Sequence, residues 1–465
     1  MRQNVCRWAI ALTAITSLVA CTDSRQPTDL IAAFPAGSGP NGIACKPATP
    51  DSLIPLPIAP PGKRVDLGTP VFSNPTSVTN PLFPISRLDQ VVLVGFVGGV
   101  PFRAETSLLP ATKRIDLGGY EVETLTSQYV AYLDRRIDET AIDQYGQDDA
   151  GAVWYFGEEV SNYEDGKIVD TDGTWLACKD GPVAMIMPAH PAIGDVYRVE
   201  NIFPTVFEEI EILKTDQTLA GPLGPVAGAF EVTQLHLDGH YEPKAFAPGY
   251  GEFSTGSNAD IEELAIALPT DAAGVPTPIR LRQLLAGARR VFQAAGGGNW
   301  KLASRTTEDM TMAWRSYQAT TIPRLLKPLM SSALSDLAGA VSSREAATTR
   351  QFALDVTKSG LDLLLQYQSR AEVDFARLDL WSRQLVVDAE AEDTGGITSD
   401  LAIMGRILDR LKNAGDWRQR ADVRAVEGQL DGLRTATRLG ASPELIAGAA
   451  RLQQALHPRM LHQEG

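Results

Sequence analysis

The sequence is short of the residues and patterns from which most active sites are built. Its 465 residues include five histidines and four cysteines, which leaves few ligands for a buried transition metal. It has no Gly-x-Ser-x-Gly elbow, no His-Glu-x-x-His helix, no Walker loop and no dinucleotide fingerprint following a strand. The commonest hydrolytic and nucleotide chemistries therefore have no local signature. Positive charge is scarce as well: 42 Lys and Arg stand against 57 Asp and Glu, a formal net charge of −15. Neutralising phosphates requires clustered cations, and no predicted helix carries a basic stripe, so nucleic acid is not an expected partner. A direct electrostatic grip on anionic lipid is disfavoured for the same reason.

Long apolar runs are missing beyond the N-terminus. "VVLVGFVGGV", Val91 to Val100, suits a buried strand and falls short of the roughly 20 residues that span a bilayer. At 44% hydrophobic and 21% charged residues the composition is that of a globular protein. The length suggests roughly two or three domains.

At the N-terminus, Arg2 and Arg7 precede an apolar stretch from Trp8 to Val19 that ends in "SLVAC", Ser17 to Cys21. This pattern resembles the lipobox of bacterial lipoproteins, in which a small residue, here Ala20, precedes a cysteine that becomes the acylated N-terminus. Residues 1–20 are thus expected to be a signal peptide, with Cys21 the lipidation site. Two or more acyl chains give stable anchoring at about 0.8 kcal/mol per buried CH₂. The expected location is the bacterial envelope, and Thr22 after the cysteine favours the outer membrane. The lipid bilayer is then a partner through the anchor alone.

With Cys6 in the signal and Cys21 acylated, Cys45 and Cys178 remain as an internal pair, either disulfide-bonded or both free. Residues 21–75 are rich in Pro and Gly and read as an extended tether.

Residues 76–268 read as an antiparallel β domain, a sandwich or barrel-like meander, because short apolar or aromatic runs alternate with Gly, Asp and Pro turns. Asp165-Gly166 and Asp172-Gly173 are hairpin dipeptides. "VWYFGE", Val153 to Glu158, alternates its side chains across two bulky faces, and Glu158 with Glu159 is expected at the strand end, solvating the next hairpin.

The motifs "VWYFGE", "YEDG" (Tyr163 to Gly166), "GTW" (Gly173 to Trp175) and "IMPA-x-P-x-x-GD-x-YR" (Ile186 to Arg198) occur together. In this the β region resembles a family of exported bacterial proteins, many of them lipoproteins, that has no assigned activity. The resemblance implies a domain and no reaction. After "NPLFP", Asn80 to Pro84, this chain continues "ISRLDQVV" and departs from the family pattern.

"PTDAAGVP", residues 269–276, reads as a linker. From 277 to 465 the apolar residues recur at helical spacing, which predicts an α-helical bundle and, for the whole chain, an α+β architecture. Ser343 and Ser399 are expected helix caps, and Asp379 stands four residues before Arg383 in a stabilising order.

Candidate functional residues are few. Trp154, Tyr155, Trp175, Tyr197 and Arg198 come from the shared motifs and form a candidate binding surface, the alternative being the sheet's core and its salt-bridged edge. His236 and His240 flank Asp238-Gly239 and are weak metal candidates with no third ligand. No cofactor is implied. Two function classes follow. One is a non-enzymatic envelope lipoprotein binding a ligand or an envelope protein. The other is an envelope hydrolase or metal-dependent enzyme with an unfamiliar site in the β domain. Perturbed carboxylates converging on the sheet would mark the enzyme, and an apolar concavity or helix groove would mark binding.

Overall fold

The computed structural model describes residues 45–412 and 417–464. The expected signal peptide, the expected lipidation site Cys21 and the expected tether as far as residue 44 lie outside the described residues. The α+β architecture is as expected.

Fourteen strands form one antiparallel sheet. They are β1 (Gln90–Val97), β2 (Val100–Asp116), β3 (Glu121–Leu133), β4 (Arg136–Gln147), β5 (Val153–Glu164), β6 (Lys167–Asp170) and β7 (Trp175–Leu176), then β8 (Ala184–Met187), β9 (Val196–Ile202), β10 (Val206–Ala220), β11 (Pro225–His236), β12 (Tyr241–Ala247), β13 (Gly251–Ser257) and β14 (Asp260–Leu268). The order runs from β6 back to β1, crosses to β14, and descends to β9, with β7 and β8 paired to β5. Successive hairpins make a meander, and β1 pairs with β14 because the two ends of the β region meet in its middle.

Turn chemistry sets much of this. Asp134 and Arg135, φ 46° and 69°, turn β3 into β4, and Asp165 with Gly166, φ 51° and 71°, turns β5 into β6. Two consecutive positive φ values match the right-handed twist of the strands. Gly166 is also required sterically, since a Cβ there would lie 2.1 Å from the Ser399 nitrogen. In Asp172-Gly173 only the glycine has positive φ, and the pair leads from β6 into β7.

Trp154, Phe156, Tyr197, Ile210, Phe230 and Phe246, from five strands spread across the order, meet in one apolar cluster. A flat sheet could not bring β5 against β10 and β12, so the sheet curls, giving a concave and a convex face. It remains unclosed, with β6 and β9 at its edges.

Among the described residues eight helices follow: α1 (Ile279–Gly296), α2 (Trp300–Tyr317), α3 (Leu326–Ser343), α4 (Ala346–Leu364), α5 (Arg370–Glu390), α6 (Thr394–Lys412), α7 (Trp417–Arg438) and α8 (Ser442–Glu464). They pack on the convex face. Val92 and Ile266 of the sheet share a cluster with Leu281, Leu284, Leu361 and Leu380, and Tyr132 stacks on Trp381 at 6.1 Å. The segment between β14 and α1 is fixed on both sides: Asp271 accepts from Tyr250 at 2.9 Å and Ala273 N–H donates to Gln366. It is a joint within a shared core.

The expected caps differ. Ser343 ends α3 and Ser399 lies inside α6, where its hydroxyl accepts from Ile137 N–H at 2.9 Å and ties the helix to β4. The cap with a full capping box is Ser369 with Glu372, opening α5. Asp379 and Arg383 do pair, at 2.9 Å.

Where sheet meets helices, β2 places Arg103 and Glu105 on its convex face. Arg103 grips Asp362 of α4 through two bonds of 2.7 and 2.8 Å. Arg410 of α6 does the same to Asp374 of α5 at 3.0 and 2.8 Å. Arg377 lies between, 3.3 Å from both Asp362 and Asp374 and 3.5 Å from Glu105. Three cations and three anions are buried together, and burial of charge is tolerated when each is paired with opposite charge.

The tether also differs from expectation. Beyond residue 44 it is a strap laid on the sheet. Cys45 is disulfide-bonded to Cys178. Ile54 packs with Phe207 and Leu235, flanked by Leu56 and Ile58, so an alternating apolar pattern inside the Pro-rich stretch supplies the adhesion. Val65 N–H donates to Val196, capping part of the β9 edge.

Candidate binding site

Four of the five motif residues, Trp154, Tyr155, Trp175 and Tyr197, share one cluster inside the protein, and Arg198 lies apart on the other face of β9. Trp154, Tyr155, Trp175, Tyr197 and Arg198 are all buried, which corrects their reading as a binding surface. Trp154 Nε1 donates to Asp148 at 2.8 Å. Tyr155 donates to Asp143 at 2.9 Å and meets Trp175 edge-on at 5.3 Å. Arg198 is the socket for the strap. It reaches Asp51 at 2.7 Å, Glu209 at 3.0 Å and Asn201 at 3.0 Å, and stacks on Phe207. Their bulk and their polar tips serve packing.

His236 and His240 do flank the turn, joined by the His236 N–H to His240 carbonyl bond of 2.9 Å. The imidazole of His236, however, is held between two carboxylates, Glu208 at 3.2 Å from Nδ1 and Glu242 at 3.4 Å from Nε2. Burial opposes its charge, but these hydrogen bonds outweigh burial and lift its pKa to about 9. With both ring nitrogens protonated it has no lone pair for a metal. Among the described residues no group of three or more His, Cys, Asp or Glu side chains is arranged to hold a metal ion.

Those two histidine partners belong to a larger set. Strand alternation places Glu139 and Asp143 of β4 on the concave face, with Glu158 of β5 directly opposite Asp143. Across the curl, Glu200 of β9 lies opposite Glu208 of β10, which lies opposite His236 of β11. Glu242 and Lys244 of β12, Glu252 of β13 and Glu262 of β14 complete the lining. Carboxylates outnumber His236 and Lys244. The face remains wet, since the side chains of Glu208, His236 and Glu242 keep about a quarter of their surface exposed.

Burial, then the fields of Asp138 and Asp143, pushes Glu139 up to about 7. Burial and Glu252 push Glu262 up to about 8. Glu158 and Glu200 are hydrogen-bonded to each other, and both are raised, first by burial and then by neighbouring carboxylates, as in a pair that shares one proton. Glu208 and Glu242 are lowered, because His236 and Lys244 outweigh their burial. Neither Glu139 nor Glu262 has a hydrogen bond or close ion pair among the described residues. Two buried polar groups on the same face also lack partners: the Gln234 amide nitrogen, between His236 and Val232 on β11, and the Tyr197 hydroxyl. Native interiors leave few such groups unsatisfied.

A cavity of about 60 Å³ lies elsewhere, between α1, α4 and α5. Its walls are chiefly aliphatic, with Leu285, Leu354 and Leu361. Arg383 is bonded to Asp379 and stacks on Phe292. The helix groove and the converging carboxylates are therefore both present, and buried polar atoms without partners occur at both, Gln368 Oε1 beside the groove and the Gln234 amide nitrogen on the concave face.

No protein-family model matches this chain, and no curated protein matches it in sequence.

The acids of the concave face were not singled out from sequence. "RIDETAIDQYGQ" carries Glu139 and Asp143 at even spacing, which in an isolated strand describes a solvated face. Glu158 was expected at a strand end, whereas β5 continues to Glu164 and turns Glu158 inward.

Proposed function

We propose that this chain is a non-enzymatic envelope lipoprotein, anchored through acylated Cys21, whose concave sheet face binds an organic cation. The β region would then belong with the exported proteins whose motifs it resembles, and the outer membrane is the proposed location. Support for the anchor comes from the basic, apolar and "SLVAC" segments in succession, and the Cys45–Cys178 disulfide fits an oxidising compartment. Converging carboxylates are also the mark of an enzyme; the single observation that turns them towards binding is their excess over the enclosed cations, two of them being without any cation in contact. An ammonium group entering there would relieve repulsion that the fold tolerates only by holding protons.

The test is calorimetric titration of the full chain with a primary amine at pH 7.5. Binding should release protons, because the amine's charge displaces them from Glu139 and Glu262. Absence of heat and of proton release would sink the reading. Mass spectrometry of the native N-terminal peptide tests the anchor separately.

The Glu158–Glu200 pair supports a second reading, an envelope hydrolase that uses a proton-sharing carboxyl dyad. It is the weaker one. His236 is clamped as a cation and offers no neutral imidazole, and the pair is one part of a larger acid-lined face, not an isolated dyad. Hydrolysis of a peptide or glycoside panel, abolished by Glu200→Gln, would favour it.

A further inference from the structure

Where α4 and α5 meet the convex face of the sheet there is a second cavity, of about 10 Å³, with Arg103, Glu105, Tyr132, Lys358 and Asp362 in its wall. It has room for one group about the size of a water molecule. Three polar groups in that wall make no hydrogen bond among the described residues: the Lys358 amine, the Tyr132 hydroxyl and Glu105 Oε2. Tyr132 and Glu105 are buried and Lys358 is half-buried.

Lys358 lacks the partners that its helix provides. Asp355 and Asp362 stand three residues before it and four after, the positions from which a carboxylate ordinarily pairs with a lysine. Both are taken. Asp355 is paired with Arg135 at 3.3 Å, and Asp362 with Arg103 at 2.7 Å and Arg377 at 3.3 Å. In the cavity wall Arg103 and Arg377 already balance Glu105 and Asp362, so a protonated Lys358 is a surplus cation. Burial first, and then the field of Arg103, push its amine down to about 8, against the pull of Asp362, Asp355 and Glu105. Roughly a quarter of it is then neutral at pH 7.5, against about a thousandth for a lysine at its ordinary value.

We propose that Lys358 is a covalent modification site for small aldehydes, with Tyr132 as the proton donor. The Nζ lone pair adds to the carbonyl carbon, and a proton passes from nitrogen to the carbonyl oxygen. Tyr132 then protonates the hydroxyl of this carbinolamine, which leaves as water, and recovers a proton from the nitrogen as the C=N bond forms. The product is a neutral imine, which removes the surplus charge. Cavity size restricts the aldehyde to one or two carbons.

The experiment is alkylation of the full chain by formaldehyde with cyanoborohydride to trap the imine, read by peptide mass mapping. At pH 7.5 Lys358 is expected to react at least about tenfold faster than the exposed Lys301 and Lys327. Its rate should level off above about pH 8, while theirs continues to rise. Benzaldehyde should reverse the preference, because its ring does not fit. Tyr132→Phe keeps the ring that stacks on Trp381 and should slow Lys358 about tenfold, the lower end for loss of a general acid, with near-ultraviolet circular dichroism confirming the fold. Reaction of Lys358 no faster than Lys301 overturns the proposal. The same preference with benzaldehyde overturns the small-aldehyde site, and an unchanged rate in Tyr132→Phe overturns the role of Tyr132.

Discussion

On the convex face of the sheet, Arg103, Arg377 and Arg410 meet Glu105, Asp362 and Asp374; each is paired within the set, and Arg103–Asp362, Arg377–Glu105 and Arg410–Glu105 cross the junction with the helices. On the concave face the same sheet encloses carboxylates that outnumber His236 and Lys244, and several of them face one another. The convex charges behave as their pairing demands: burial opposes ionisation of Glu105, but Arg377, Arg103 and Arg410 hold it well below the usual carboxylate range. Glu139 and Glu262 move the other way. Burial is common to both faces, so the difference is one of partners. A balanced set joins elements together, and an unbalanced set waits for a counter-charge.

The comparison breaks most visibly if the balanced side is cut. Asp374 is fully buried and accepts two bonds from Arg410. Asp374→Ala leaves two guanidiniums buried with less than their complement of acceptors, which typically costs about 3–5 kcal/mol. Urea unfolding of the variant should show a loss of this size. A loss under about 1 kcal/mol would mean that the Asp374 pairs contribute little beyond aliphatic packing where α5 meets α6.

A smaller effect should appear in the pH dependence of stability, where the two faces have opposite slopes. Glu139 and Glu262 bind protons more tightly folded than unfolded, so their contribution is greatest below pH 4.5 and is lost as pH rises to about 7 and 8. His236, raised to about 9, contributes fully below 6.5 and also loses its contribution as pH climbs. Glu105 acts in reverse, stabilising above its unfolded value and losing that as pH falls. Stability should therefore peak near pH 5 and decline by roughly 2–3 kcal/mol towards pH 8, the sum being discounted because these groups are partly exposed. Calorimetric Tm values at pH 5, 6.5 and 8 check this. A Tm that rises over that range would show that the concave acids are compensated after all.

How much of this was legible in the sequence depends on range. The α+β division, the strand-rich block and the helices follow from hydrophobic period, which is local. The turn at Asp165-Gly166 was legible because glycine's freedom at positive φ is local too. The sheet's curl was not, because it depends on β5 meeting β10 and β12 across the chain. Without the curl, Glu139, Asp143 and Glu158 look like ordinary solvated acids, and Trp154, Tyr197 and Arg198 remain ambiguous between surface and core. The strap was hidden by composition: Pro and Gly predict an extended chain correctly, yet say nothing of whether Ile54 and its neighbours find a surface. The convex network had a faint signal in α5, whose sequence has no polar face, since Asp374, Arg377, Asp379 and Arg383 are all buried.

The concave side can be relieved as well as loaded. Glu262→Gln removes a carboxylate that must otherwise ionise against Glu252 within an enclosed space. The variant should be more stable than the natural chain by about 1 kcal/mol at pH 8 and indistinguishable from it at pH 5, where Glu262 already holds its proton. Destabilisation at pH 8 would indicate that the charge of Glu262 is used by the fold.

The finest test uses two neighbours in sequence. Glu158 and Glu159 are adjacent on β5 and point to opposite faces. Glu159 is two-thirds exposed and reaches Lys113 at 2.7 Å, a surface pair of the kind that contributes about 0–1 kcal/mol. Glu159→Gln should change stability by less than about 0.5 kcal/mol at any pH between 5 and 8. Glu158→Gln substitutes a permanently neutral group for one that already holds a proton in its bond with Glu200. At pH 5 it should be as silent as Glu159→Gln, and by pH 8 it should be stabilising, because the pair no longer has a second charge to suppress. If the two variants give the same pH profile, the partition of charge between the faces does not extend to single residues, and the enclosed acids are better described as a diffuse field than as a site.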